Sequence, residues 1–299
     1  MSNFPGARKR RFTLLDAALL GGIAVVVILL ARRVRTDLVY EWDWSVVPQY
    51  LLRRRPETGN LVAGVLIRGL LTTVRLAIWS ALGALVIGIA VGVLRIAKSR
   101  SARAIGRVYV ELVRNTPPLV LVFIFFYFVG NQVTTALGID AWIRNANPAT
   151  QDVVTVLFSE PARFSEFLTA VMTLAVYEGA YMAEIVRAGI QSIEKGQTEA
   201  ASAIGLTRSD QYRFVILPQA FRTISPALAG QFISTIKDSA IVAVISVQEL
   251  TFRGLELMSA TFRTFEVWIT VTVLYFLLTG GLSLAARALE RRLTRRAAH

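Results

Sequence analysis

The chain contains no cysteine, and its one histidine is the terminal residue, His299. These absences exclude a disulfide framework, thiolate metal sites and histidine chemistry. No G-x-x-x-x-G-K-[ST], G-x-S-x-G or H-E-x-x-H occurs either. Neither nucleotide binding on a P-loop nor the usual intramembrane hydrolysis therefore belongs to this chain. Acidic residues are few, 20 against 33 lysines and arginines, giving a net charge of +13. That excess does not point to nucleic acid. The basic residues fall in short clusters at the ends of apolar blocks, with no aromatic interleaving, and read as topology signals that touch anionic membrane lipid at most.

What the sequence has is apolar length. Hydrophobic residues make up 54% of its 299, mean hydropathy is positive, and no stretch remains for a large soluble domain. The apolar residues form six blocks of about 20, enough to cross roughly 30 Å of hydrocarbon at 1.5 Å per residue. The fold class is therefore all-α integral membrane, with six transmembrane helices.

The first block, 12–31, follows the basic run Arg8, Lys9, Arg10 and Arg11. It is long for a signal peptide and no small-residue cleavage site precedes Arg32, Arg33 and Arg35, so it reads as a retained helix. Tyr40, Trp42, Trp44 and Tyr50 mark an aromatic belt, and 53–60 a polar turn, in an external linker. The second span, 70–94, carries Gly88 and Gly92 at the spacing that admits a close neighbouring helix. Arg68 and Arg75 share a face at its outer end, where long side chains snorkel. Beyond Lys98, Arg100, Arg103 and Arg107, residues 104–113 read as an amphipathic helix along the membrane surface. Pro117-Pro118 stops it and opens span three, 119–129 and onward toward 135. A polar external connection, 131–165, is long for a helix link. Span four is 167–188, span five 224–247 with Pro226 at its start, the next external loop 248–263, and span six 264–286. Lys and Arg are in excess on the segments this assigns to the cytoplasm, which places both termini there, although the first external loop is also arginine-rich.

Between spans four and five lies the polar, helix-forming run 196–218, GQTEAASAIGLTRSDQYRFVILP, which must lie outside the lipid. Ala200, Ala201 and Ala203 give a surface that another protein can approach closely, and Gly205 permits a left-handed turn. Leu217-Pro218 reads as the end of the unit. The pattern predicts helix, tight turn, helix, built to enter a groove on a partner.

Glu199-Ala200-Ala201, three residues, Gly205, nine residues, then Val215, one residue and Leu217-Pro218 resembles the EAA loop of ABC importer permeases. In that family the loop docks on the ATP-hydrolysing subunit. The resemblance thus implies a transport subunit with no cofactor of its own, ATP and Mg being bound by the partner ATPase. The stretch around Arg114, Asn115, Thr116 and Pro117 resembles the R-x-T-P motif of the polar amino acid uptake branch, as does YEGAYMAEIVRAGI at 177–190. The likeness covers about 69–292 and is strongest over 176–250. It implies a five-helix type I importer core with the first helix as an addition. The organisation is then 1–65 for that helix and linker, 66–290 for the core with its coupling loop at 189–222, and 291–299 for a basic cytoplasmic tail.

A charge at mid-bilayer costs about 2.5 to 3.5 kcal/mol, so Glu178 in span four and Lys237 and Asp238 in span five must face protein or water. Adjacent helix residues diverge, so Lys237 and Asp238 cannot satisfy one another. Two readings stand side by side. Glu178 or Asp238 accepts from the ammonium of a zwitterionic amino acid and Lys237 donates to its carboxylate, or Glu178 and Lys237 form an ion pair that holds two spans in register. The family's K-D-S/T stretch matches Lys237-Asp238-Ser239, which the resemblance assigns to the pathway lining. Glu184 and Arg187 read as a local salt bridge or a brace for the coupling loop, and Arg114 alternatively as a phosphate anchor.

The resemblance implies the membrane subunit of an importer for glutamate, glutamine, aspartate or amino acids generally, in a bacterial inner membrane. Its partners would be a dimer of ABC ATPase subunits, a second permease chain and an extracytoplasmic amino-acid-binding protein. An ion-coupled secondary amino acid transporter is the alternative; it would show inverted repeats with paired broken helices, which the sequence lacks. A membrane enzyme using Glu178 and Glu184 is disfavoured because their spacing of six places them on different helix faces.

Overall fold

The computed structural model describes residues 14–37, 40–55 and 59–297. The basic run at 8–11, the first two residues of the 12–31 block and His299 lie outside them. Contacts divide the chain into two compact units, 1–43 and 44–299.

In the first unit the described residues form one helix, α1 (Leu14–Asp37). Its Leu15, Leu19 and Ile23 are more than half exposed, which suits hydrocarbon rather than water. Beyond it Tyr40 meets Trp42 edge to face, with ring centroids 5.2 Å apart.

The second unit opens with α2 (Val47–Leu51) and an antiparallel hairpin in which β1 (Leu52–Arg54) pairs with β2 (Leu61–Ala63), Arg53 opposite Val62. This hairpin occupies the stretch expected as a polar turn. Tyr50 does not join an interfacial belt. It is buried against Leu66, Leu250, Val267 and Val271, so the linker around it packs into the core of its own unit.

Helix α3 (Val65–Ile96) has 32 residues, about 48 Å at 1.5 Å per residue. Helix α4 (Arg100–Asn115) begins at Ser99, whose hydroxyl accepts the Ala102 N–H, the usual way an orphan N-terminal donor is satisfied. As the sequence pattern expects, it is two-faced: Gly106, Val110 and Val113 are buried, while Ile105 and Leu112 face outward. Helix α5 (Pro118–Ala136) starts at the proline pair and widens to a π turn over Phe125–Gly130.

The stretch 131–165 is not a loop. It completes α5, then forms α6 (Ile139–Asn145) and α7 (Pro148–Leu157). Gly138 at φ +63 and the Asn147 cap on the Thr150 N–H supply the breaks. The helices are too short for their amphipathic period to stand out from the polar composition.

Helix α8 (Phe164–Gln191) is followed by α9 (Lys195–Ala203), α10 (Arg208–Ile245), α11 (Leu250–Thr261) and α12 (Thr264–Ala297). Among the described residues, α3, α5, α10 and the Thr264–Ala288 part of α12 are long and apolar enough to cross a membrane, and α1 has a shorter apolar part, Leu14–Val26. At 28 residues α8 is also long enough, but it carries Glu178 and Glu184 and sits at the centre of the packing.

Two expectations about α10 are corrected. Leu217-Pro218 does not end the preceding unit, and Pro226 lies inside the helix, not at its start. A π turn at Gln211–Ile216 ends two residues before Pro218. Opening the ladder there accommodates a residue with no N–H and a ring that crowds the preceding carbonyl. The helix then tightens to 3-10 geometry over Ser239–Ile245, so Lys237 and Asp238 sit at a change of helix type. The stretch 248–263, expected as a loop, is mostly α11.

The core forms around α3 and α8. A Cβ on Gly83 would stand 2.8 Å from that of Ala175, on Gly88 2.6 Å from that of Met182, and on Gly92 2.8 Å from Val186 Cγ1. Real Cβ atoms do not approach so closely, so glycine is what lets the backbones meet, as the Gly88 and Gly92 spacing predicts. Both residue series rise together. The two helices therefore run parallel, their N-termini at one end of the bundle and their C-termini at the other.

Candidate functional site: a protruding helical turn and a buried polar cluster

At the C-terminal end of α8 the chain makes the helix, turn and helix read from 196–218. Helix α9 closes with a hydrogen bond from the Leu206 N–H to the Ala201 carbonyl at 3.1 Å and another from Gly205 to Ser202 at 3.0 Å. This is the six-to-one and five-to-two closure that places a left-handed residue after a helix, and Gly205 has φ +82. Thr207 caps the next helix, its hydroxyl accepting the Asp210 N–H. The buried Gln211 amide then donates to Leu206 O at 2.9 Å and Ser202 Oγ at 3.0 Å, lacing the two helices together.

Glu199, Ala200, Ala203 and Gly205 lie exposed on this unit, and Ile204 is 77% exposed, with Leu217 also outward. Ala201 is different. It is buried at 3% exposure, because neighbours on a helix point apart. The small surface consists of Ala200 and Ala203, while Ala201 keeps α9 close to its own chain.

Below the turn, Glu184 of α8 is held by two arginines. Arg187 donates through Nε at 3.0 Å and through Nη2, and Arg95 at the end of α3 pairs with the other carboxylate oxygen. The expected Glu184–Arg187 bridge is thus one half of a clamp that also ties α3 to α8 beside the protruding unit.

The second group of residues lies midway along α8. Glu178 is fully buried, and its Oε2 accepts the Gln231 amide at 2.6 Å. Its Oε1 has no hydrogen-bond partner. Gln231, Thr235 and Asp238 are spaced i, i+4, i+7 on α10 and present one polar face toward it. Lys237 is on the exposed side and makes no ion pair with Glu178. The register-holding pair is therefore replaced by a Glu178–Gln231 hydrogen bond. Ser239 is buried and satisfied by Ile236 O at 2.7 Å. Lys237, Asp238 and Ser239 thus point three ways, and only Asp238 belongs with Glu178.

Arg114 rests over the Tyr181 ring, 5.2 Å from its centroid, a cation–π contact. Tyr181 in turn meets the Tyr177 hydroxyl at 3.3 Å. Thr116 closes its own helix on Leu112 O at 2.7 Å, and Asn115 and Pro117 are exposed. The R-x-T-P motif is thus a corner that seats α4 against α8, one turn from Glu178.

Two residues escaped sequence reasoning. Gln231 is an uncharged residue inside a span, and only its polarity could have drawn attention to it. Glu249 was assigned to a loop. It caps α11 by accepting the Phe252 and Thr251 N–H groups at 2.8 and 2.9 Å, and receives Tyr275 Oη of α12 at 2.8 Å and Thr73 Oγ1 of α3 at 3.3 Å. One fully buried carboxylate joins three helices.

Residues 65–295 match the family described as binding-protein-dependent transport system inner membrane component. The chain belongs to that family. This permease is 36% identical over 229 residues to the glutamine transport system permease protein GlnP of Escherichia coli strain K12, covering 77% of this chain and 93% of that one. It is 32% identical to the arginine transport system permease protein ArtQ of Bacillus subtilis strain 168, over 76% of this chain and 92% of that one. Among solved structures, an amino acid ABC transporter crystallised with histidines matches with a TM-score of 0.65 at 29% identity, over 85% of this chain and all of that one. The permease thus has the type I importer fold, and the family match leaves residues 1–64 and 296–299 outside it.

Proposed function

We propose that this permease is the membrane-spanning subunit of an ATP-driven importer for polar amino acids. The observation that carries the reading is the protruding unit at the C-terminal end of α8. It is laced internally by Gln211, turned by Gly205, and presents Glu199, Ala200 and Ala203 outward. A preformed exposed helix of small residues fits a groove on a separate protein, and the sequence carries no P-loop pattern. That protein is an ABC ATPase dimer carrying ATP and Mg. Two permease chains then pair around the pathway, and closure of the ATPases draws both protruding units together, rocking the helices between inward and outward openings. This reading places the unit, Arg95, Glu184 and both termini in the cytoplasm. An extracytoplasmic binding protein delivers the amino acid at the other end.

Glu178, with one oxygen unpartnered, and Asp238 line the route as acceptors for the substrate ammonium. Lys237, exposed on a single chain, faces the second permease and is available to the substrate carboxylate there. The relatives' substrates, glutamine and arginine among them, share the ammonium and carboxylate such groups would meet.

The test is Glu199→Arg. Uptake and association with the ATPase should both be lost while the variant reaches the membrane at the parent level. Uptake at the parent rate would sink the docking role.

A further inference from the structure

A cavity of about 220 Å³ opens at the end of the bundle away from the protruding unit. It is walled by the first turns of α3 and α8 and by the approach to α11. Four arginines reach it against two glutamates. Two of the arginines are already occupied: Arg163 pairs with Glu166 at 3.7 Å, and Arg253 donates to Gln248 at 2.5 Å and to Glu256 at 2.7 Å. The guanidinium groups of the other two, Arg68 and Arg75, have no hydrogen-bond or ion-pair partner among the described residues. They lie seven apart on one face of α3, Arg68 exposed and Arg75 half buried. The carboxylate of Glu160 at the rim is also without a partner.

An unpaired guanidinium in a cleft is a fork of donors that matches one carboxylate in two-pronged fashion. Two such forks and one free carboxylate describe the complement of a small molecule with two carboxylates and one ammonium. We infer that this cavity is an outer receiving site for a dicarboxylic amino acid of the glutamate and aspartate class, with Arg68 and Arg75 each taking a carboxylate and Glu160 the ammonium. The inference rests on the transport reading above and adds to it a site and a preference among substrates. A neutral amino acid satisfies one of the arginines only, and a basic one brings a cation toward a lining with excess positive charge.

The complete transporter, reconstituted in nanodiscs without its binding protein, is equilibrated with radiolabelled L-glutamate, L-glutamine and L-arginine, and uptake of all three is followed in cells. Glutamate should bind saturably and more tightly than the others, and Arg75→Gln and Arg68→Gln should each weaken it at least tenfold, whereas glutamine, whose single carboxylate uses one arginine, should be weakened by only one of the two substitutions and changed less than about twofold by the other. Arg75→Lys, which keeps charge but not the fork, should fall between, guarding against a folding defect in the glutamine variant. If glutamate does not bind while glutamine or arginine is still taken up, the site is wrong and the transport reading stands. If no amino acid is taken up, the transport reading itself fails. If Arg75→Gln leaves glutamate binding intact and instead weakens association of the binding protein, the cavity docks an acidic protein surface and the inference is overturned.

Discussion

Gly205 allows the coupling role to be tested without touching any side chain that contacts a partner. A Cβ there meets nothing within 4 Å, yet its φ of +82 lies beyond the left-handed range that other residues enter. Gly205→Ala therefore adds no clash and acts through the backbone alone. The left-handed penalty for a residue with a Cβ is about 1 to 2 kcal/mol, and that much free energy is a factor of roughly 5 to 30 in a two-state equilibrium. The turn is closed by the Leu206 and Gly205 backbone bonds and laced by the Gln211 amide, so the penalty falls on the balance between formed and opened turn. Since the unit lies outside the α3 and α8 packing, thermal unfolding of the membrane core in detergent should not move. Substrate-stimulated ATP hydrolysis and uptake in proteoliposomes should fall together, by at most about 5- to 30-fold, and Gly205→Asn, better tolerated in left-handed geometry, should lose less. The reasoning is refuted if Gly205→Ala keeps both rates within twofold of the parent at equal membrane levels.

Glu178→Gln should preserve assembly, since the amide can still meet Gln231, but lower stimulated ATP hydrolysis at least tenfold; an unchanged rate would make the carboxylate structural. Gly88→Leu should destabilise the bundle by about 1 to 3 kcal/mol or more by overpacking, seen as a lower unfolding temperature, whereas Gly281→Ala, where a Cβ meets nothing within 4 Å, should be neutral. At Glu249, burial pushes the carboxyl pKa up, against hydrogen bonds from Thr251 N–H, Tyr275, Phe252 N–H and Thr73. A raised folded value means its contribution is complete below the ordinary glutamate value of about 4.3 and is lost as pH rises through the raised one. The parent's unfolding temperature should thus carry a component that declines with rising pH and is absent in Glu249→Gln, while Glu249→Ala should cost about 1 to 3 kcal/mol at every pH by stranding buried donors.

What could be read in the sequence was what repeats or what is sterically unique. The spans follow from apolar length, the α3 and α8 contact from Gly88 and Gly92, and the turn from Gly205, because each depends on a local property of one chain segment. What escaped depended on a partner far along the chain. Glu249 looks like a loop acid until Thr73, 176 residues away, and Tyr275 are seen around it. Ala201 was grouped with Ala200 because composition does not say which way a helix faces. Pro218 and Pro226 were read as boundaries, since proline's usual effect is to stop a helix, and only the π turn at Gln211–Ile216 reveals how this one continues.

The parallel course of α3 and α8, meshed at Gly83, Gly88 and Gly92 and pinned at one extremity by the Arg95, Glu184 and Arg187 clamp, makes the pair behave as a single shaft. A displacement applied at the protruding unit, where the proposed ATPase partner would dock, would then be carried some forty ångströms, about the 28-residue length of α8, to the end that holds Arg68 and Arg75. Helix α10 is the contrast, widened to a π turn at one extremity and tightened to 3-10 geometry at the other, the kinds of departure from regular helix at which hinges are found.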